Sequence, residues 1–189
     1  GFKTSSEVQN FLAEMKNKNK NVQKLEKSTG YNKYDQRNYD NLNVTFSDAL
    51  NIIYGLNGSG KTNLIEAIYL LALSKSFRIS NDKVLIKKGK IKAKVNGNVL
   101  KNNDSNLYGV EITFDGKVVS INEEKKDKIS DYISRINIVL FEPSNTMLIS
   151  DAPSERRKLL NIEISQIYKE YLVILTNYQR ILKQMPKMH

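Results

Sequence analysis

The stretch Gly55-Leu56-Asn57-Gly58-Ser59-Gly60-Lys61-Thr62 fits the phosphate-loop pattern: a glycine, four free positions, then Gly-Lys and a hydroxyl residue. Its surroundings constrain the fold further. Leu50-Asn51-Ile52-Ile53-Tyr54 is short, apolar and β-branched, which predicts a strand. Thr62 to Leu71 has the composition and spacing of a helix. Strand, glycine loop and helix is the order in which such a loop binds phosphate. The glycines let backbone N–H groups turn inward, and the helix N-terminus adds partial positive charge. In that reading residues 55–63, through Asn63, are the nucleotide-binding set, and Lys61 also has a catalytic role because it reaches the β- and γ-phosphates. The Thr62 hydroxyl would hold Mg²⁺. The plainer alternative is a glycine turn before a helix. The flanking elements favour an ATP-type ligand with Mg²⁺ and an α/β phosphate-loop core.

Composition removes several other chemistries. The 189 residues contain no Cys and no Trp, so a disulfide or thiolate–metal framework is excluded. The single His is His189, which removes histidine-based catalysis and most zinc sites. No apolar run approaches the ~20 residues of a membrane span, so a soluble, cytoplasmic protein without a membrane partner is expected. Thirty Lys and Arg against twenty Asp and Glu leave a net charge of +10, which suits a polyanion and equally serves solubility.

Along the chain, residues 4–28 read as a Lys- and Asn-rich amphipathic helix with a thin stripe of Val8, Phe11, Leu12, Met15, Val22 and Leu25. Residues 41–47 alternate like a half-buried strand. Two hairpin signals follow the phosphate-loop helix. Asn96-Gly97 lies between Ile91–Val95 and Asn98–Leu100, and Asp115-Gly116 lies between Val110–Phe114 and Lys117–Ile121. The charged patch Glu123 to Lys128 leads into a short helix through Ile133. Ile136 to Phe141 is continuously apolar, as in a strand buried on both faces. From Pro153 the chain reads as helix to about Lys183. Ile164, Tyr168, Tyr171, Leu175, Tyr178, Leu182 and Met185 form a heptad seam, either a coiled-coil arm or one face of a core-packed helix.

At these residues the chain resembles the RecF family, DNA-repair relatives of SMC proteins in the ATP-binding-cassette class. The likeness runs from about Arg37 to Gln184. It rests on Arg37-Asn38-Tyr39, on Asn57 through Ile68, and on Ser76-Phe77-Arg78 with Asp82, Leu85, Ile86 and Gly89. Leu140-Phe141-Glu142-Pro143 and Pro153-Ser154-Glu155-Arg156-Arg157 complete it. Tyr34-Asp35-Gln36 stands where the family has an apolar first strand. The family's signature motif and a late Walker B acid pair have no counterpart, so the chain reads as the N-terminal half of such a protein.

The fold expected is therefore an α/β phosphate-loop ATPase lobe of ABC/SMC type, with an antiparallel β subdomain and the start of a helical coiled-coil arm. Residues 1–36 would be a helical extension, 37–150 the ATPase lobe with its β subdomain at about 90–121, and 151–189 the base of the arm. The resemblance implies ATP-dependent dimerisation on gapped, single-stranded or duplex DNA, in recombinational repair, replication and the SOS response, with a RecR-like partner. It also implies weak ATPase activity in the whole protein. Two rivals come from the residues alone. In Ile138-Val139-Leu140-Phe141-Glu142, Glu142 has the bare position of a Walker B acid, as in a compact phosphate-loop kinase or GTPase. The loop could instead be vestigial in a non-catalytic DNA-binding module. Lys87, Lys88, Lys90, Lys92 and Lys94 are DNA-phosphate candidates, with Lys92 and Lys94 alternating along one strand face. Arg78 sits where the resemblance places an arginine loop near nucleotide and DNA. Arg156 and Arg157 open a helix against its dipole.

Overall fold

A computed structural model describes residues 21–24 (backbone), 42–47, 50–101, 103–142 and 153–184. The chain divides into two compact units, Gly1–Ile65 and Glu66–His189.

In the first unit, β1 (Asn21–Lys24) pairs parallel with β2 (Asn51–Tyr54), from Asn21 opposite Asn51 to Lys24 opposite Tyr54. This corrects the helix expected over 4–28 where that stretch is described; its remainder lies outside the described residues. Asn21 and Val22 are weak helix formers, and pairing with β2 supplies the backbone partners that a thin apolar stripe could not. The strand expected over 41–47 is also absent between Leu42 and Ser47. Ser47 instead closes a local clasp: its N–H donates to Asn51 Oδ1 at 2.9 Å, and Asn51 Nδ2 donates back to its carbonyl at 2.9 Å. That clasp sets the start of β2. After the phosphate loop the chain enters α1 (Lys61–Leu73), one turn of which belongs to this unit.

The second unit is built around a four-stranded antiparallel sheet, in the order β3 (Lys92–Lys101), β4 (Asp104–Thr113), β5 (Lys117–Ile121), β6 (Glu124–Lys126). Alternation sorts its faces. Ala93, Val95 and Val99 of β3, Tyr108, Val110 and Ile112 of β4, and Val119 and Ile121 of β5 join one core with Leu70 and Leu71 of α1. Lys92, Lys94, Asn96 and Asn98 take the exposed face. A second cluster holds Tyr69, Ala72 and Leu73 against Ile133, with Phe77, Ile138, Leu140, Ile162 and Leu172 around it.

Three local readings change here. Asn96-Gly97 makes no turn: β3 runs straight through it, with Gly97 opposite Tyr108. The turn comes after Lys101, where Asn103 takes a positive φ of 65°. The patch from Glu123 contributes β6 before the short helix α2 (Ile129–Tyr132), because Asn122 and Glu123, at φ 51° and 69°, turn the chain back without a glycine. Ile136–Phe141 joins no strand among the described residues. Ile138 and Leu140 pack inward while Val139 and Phe141 are 81% and 76% exposed, so the run is buried on one side only. The Ile138 N–H is met by Gln166 Oε1 at 2.7 Å instead of by a ladder partner. The hairpin at Asp115-Gly116 forms as expected, closed by Thr113 N–H to the Gly116 carbonyl at 2.8 Å.

The helical end consists of two helices, α3 (Pro153–Ile167) and α4 (Lys169–Gln184), separated at Tyr168. They face each other across a cleft lined by Ser154, Arg157 and Asn161 of α3 and by Thr176, Gln179 and Leu182 of α4. The Tyr171 hydroxyl donates to Asn161 Oδ1 at 2.5 Å, and Lys169 pairs with Asp131 of α2 at 2.6 Å. Of the heptad seam, Ile164, Tyr171 and Leu175 are half-buried, Tyr168, Tyr178 and Leu182 are exposed, and Met185 lies outside the described residues.

Candidate nucleotide-binding site

β2 delivers the chain to the loop and α1 receives it, so the sequence-predicted strand–loop–helix order is what forms. Gly58 and Gly60 have φ of 78° and 96°, a region where a Cβ is strained, and these two turns let the loop fold over the helix N-terminus. The Ser59 N–H donates to the Leu56 carbonyl at 3.1 Å, and α1 begins with the Leu64 N–H on the Gly60 carbonyl at 3.0 Å. Ser59 and Gly60 are buried, whereas Leu56, Asn57 and Gly58 stand out at the surface and Thr62 is exposed. No acid occupies the first turn of α1, so none of the helix's own residues there opposes its dipole.

Lys61 is the one cation in this loop. Its ammonium donates to the Gly55 carbonyl at 2.8 Å and the Leu56 carbonyl at 2.9 Å. The loop thus curls around its own lysine, which is held at the helix start by oxygen acceptors of the kind a phosphate also offers. The donor set suits a polyphosphate with its metal: loop amides, one ammonium, and the exposed hydroxyl of Thr62 beside it.

The remaining candidates sit in the second unit. Arg78 follows α1 and lies 3.8 Å from Glu66 Oε2. Glu66 is a functional candidate that sequence reasoning misses, although an acid inside the apolar run Leu64-Ile65-Glu66-Ala67-Ile68 is the signal that marks it. Lys92 and Lys94 share the exposed face of β3 as expected. Lys92 is paired with Glu111 of β4 at 3.0 Å. That hydrogen bond, with Lys94 and Lys125 nearby, holds the Glu111 carboxyl below its usual range. Lys125 of β6 therefore joins this basic face. Lys87, Lys88 and Lys90 lie off the sheet in the loop before it, around Gly89, with the Lys90 N–H on the Lys87 carbonyl at 2.9 Å. Glu142 is half-buried directly after the apolar run that ends at Phe141. Arg156 and Arg157 are exposed in the first turn of α3.

Comparison with known proteins agrees with this architecture. Residues 31–146, more than half of the chain, match the family model of the RecF/RecN/SMC N-terminal domain. Over 148 residues the chain is 43% identical to the DNA replication and repair protein RecF of Bacillus cytotoxicus and 40% identical to that of Oceanobacillus iheyensis. Each match covers 78% of this chain and 40% of the relative, so the chain spans two-fifths of the relatives' length. Among solved structures, the recombination mediator protein RecF-ATPrS of the RecFOR pathway superposes with a TM-score of 0.74 at 33% identity, over 78% of this chain and 40% of that one. RecF-ATP of the same pathway gives 0.73. No helix among the described residues is long and apolar enough to cross a membrane. With its α/β phosphate-loop lobe, antiparallel subdomain and helical continuation, the chain belongs to the RecF family, of which it represents the N-terminal part.

Proposed function

We propose that this chain binds ATP through residues 55–63 as part of a RecF-like DNA-repair protein, and that it acts on DNA with a RecR-like partner. The observation that carries the reading is the Lys61 ammonium held by the Gly55 and Leu56 carbonyls at the start of α1. A triphosphate would take over those bonds with charged oxygens, which accept more strongly than carbonyls. The loop amides and the α1 N-terminus would support the phosphates. Mg²⁺, held by the Thr62 hydroxyl, would neutralise phosphate charge. ATP-bound relatives at 33% identity support this assignment.

In the same reading, DNA is held by phosphate contacts and not by base readout. The basic outer face of the sheet, Lys92 and Lys94 with Lys125, supplies them together with Lys87, Lys88, Lys90 and Arg78. The proposal includes ATP-dependent dimerisation on gapped, single-stranded or duplex DNA and a role in recombinational repair and replication, which the family resemblance implies.

The test is calorimetric titration of Mg·ATP into the wild-type chain and Lys61→Ala. The substitution removes the loop's cation and should weaken binding by at least ~2 kcal/mol, the scale of a charge-assisted hydrogen bond. Equal affinities would refute the assignment.

A further inference from the structure

Glu66 is 5% exposed in the second turn of α1. A carboxylate that deep keeps its charge only if it is paired and hydrogen-bonded. Two residues of one loop supply the partners. The Ser76 hydroxyl donates to Glu66 Oε1, and the Arg78 guanidinium lies 3.8 Å from Oε2. The same Ser76 oxygen accepts from the Arg78 N–H at 3.0 Å and the Ile79 N–H at 3.2 Å. One buried acid therefore governs Arg78 twice. It orients the backbone through Ser76, and it attracts the side chain directly.

The two ends of the ion pair are unequal. The Arg78 side chain keeps 32% of its surface exposed and that of Glu66 only 7%. The acid is fixed in the protein while the guanidinium reaches solvent. At 3.8 Å the pair is a charge contact, looser than a bidentate guanidinium–oxyanion bond. A phosphate group offers that bidentate geometry and the stronger charge.

We propose that Glu66 is a positioning residue that holds Arg78 in reserve and yields it to an incoming phosphate group, whether of DNA or of a nucleotide. Ser76 keeps the loop in place during the exchange. The inference rests on the reading of Arg78 as a phosphate contact and adds the device that controls it. Removing the Glu66 charge then strengthens phosphate binding, because a buried competitor for Arg78 is gone. Removing the Ser76 hydroxyl weakens it, because the loop is no longer set. A purely structural role for this cluster would make both changes damaging.

The experiment uses the full chain with two probes, Mg·ATP by calorimetry and random duplex DNA by filter binding. The variants are Arg78→Gln, Glu66→Gln, the double variant and Ser76→Ala. Arg78→Gln identifies the probe whose phosphate the arginine takes. Glu66→Gln, which keeps an acceptor for the Ser76 hydroxyl, should tighten that same probe by about fivefold, the upper range for a partly exposed ion pair. The double variant should match Arg78→Gln alone. If Arg78→Gln weakens a probe and Glu66→Gln leaves it unchanged or weaker, the Glu66 inference is overturned and the Arg78 reading stands. If Arg78→Gln weakens neither probe, both fall. Should Glu66→Gln not fold, Glu66→Met, uncharged and of similar length, carries the test. Tighter binding of the Arg78 probe with a normal thermal transition is the expected result, and unchanged or weaker binding overturns the proposal.

Discussion

Gly97 of β3 passes beneath Leu71 of α1 so closely that a Cβ built on the glycine would stand 2.7 Å from the leucine Cδ2. Leu71 packs against the sheet core, so this stretch of α1 is seated on the sheet where a strand residue has no side chain. Gly97→Ala should cost little, since the terminal methyl of Leu71 can yield. Gly97→Val pushes a branched side chain into the same space and should destabilise by ~1–3 kcal/mol, typical of overpacking. Adding Leu71→Ala to Gly97→Val should recover part of that stability. Urea denaturation midpoints check both points, and a fully stable Gly97→Val would show that the close approach does not select glycine.

The same glycine shows where reading by sequence stops. Asn-Gly between alternating residues is a strong local turn signal. At Gly97 it is overridden by a helix residue distant in sequence. The phosphate loop is legible because its strand, glycines and helix lie within one short stretch and agree with one another. The pairing of Asn21–Lys24 with Asn51–Tyr54 is not, since parallel pairing joins segments far apart in sequence. Nor is the turn at Asn122-Glu123, which lacks glycine, or the helix break at Tyr168, which lacks glycine and proline. Arg78 is visible as a candidate, and Glu66 is marked as an acid in an apolar run, but their pairing is not. Glu66 and Ser76 are ten positions apart, and only the fold brings them together.

Tyr132 ties α2 to α1: it is 1% exposed, its hydroxyl donates to the Leu71 carbonyl, and its ring stands edge-on to Tyr108 at 5.8 Å. Burial, with Tyr108 second, pushes its phenol well above the ordinary tyrosine range. A folded pKa raised above the unfolded one gives stability that is full below the unfolded value and lost as pH rises past it. The chain should therefore lose stability from about pH 10 upward, by up to ~1.4 kcal/mol per pH unit from this group. Tyr132→Phe should cost ~1 kcal/mol at neutral pH through removal of the hydrogen bond and should flatten that alkaline slope. Thermal unfolding between pH 8 and 11 reads both. An unchanged slope in Tyr132→Phe would assign the alkaline effect to other groups.

ATP turnover by the 189-residue chain should stay near background. Glu142 is the sole Walker-B-like acid that the sequence offers, and the run before it does not form a sheet strand. An acid placed to orient an attacking water needs a rigid strand beneath it. Glu142→Gln should accordingly change phosphate release little, measured with saturating Mg·ATP. Brisk hydrolysis abolished by that substitution would favour a compact kinase- or GTPase-like enzyme instead.

DNA binding by the sheet's outer face makes a graded prediction, because its lysines are not equivalent. Lys92 already faces Glu111 at 3.0 Å, so part of its charge is neutralised before any phosphate arrives. Removing a lysine that fully neutralises one phosphate of duplex DNA lowers the salt slope by about 1. Lys94→Gln should have that effect, and Lys92→Gln a smaller one. Glu111→Gln should act in the opposite direction, releasing Lys92 and steepening the slope. Filter binding of random duplex and gapped DNA across salt concentrations measures all three. An unchanged slope in the combined Lys92/Lys94→Gln variant would move the DNA surface elsewhere, with Arg156 and Arg157 at the start of α3 the next to test. Absence of binding at low salt would leave the charge of +10 as a solubility device.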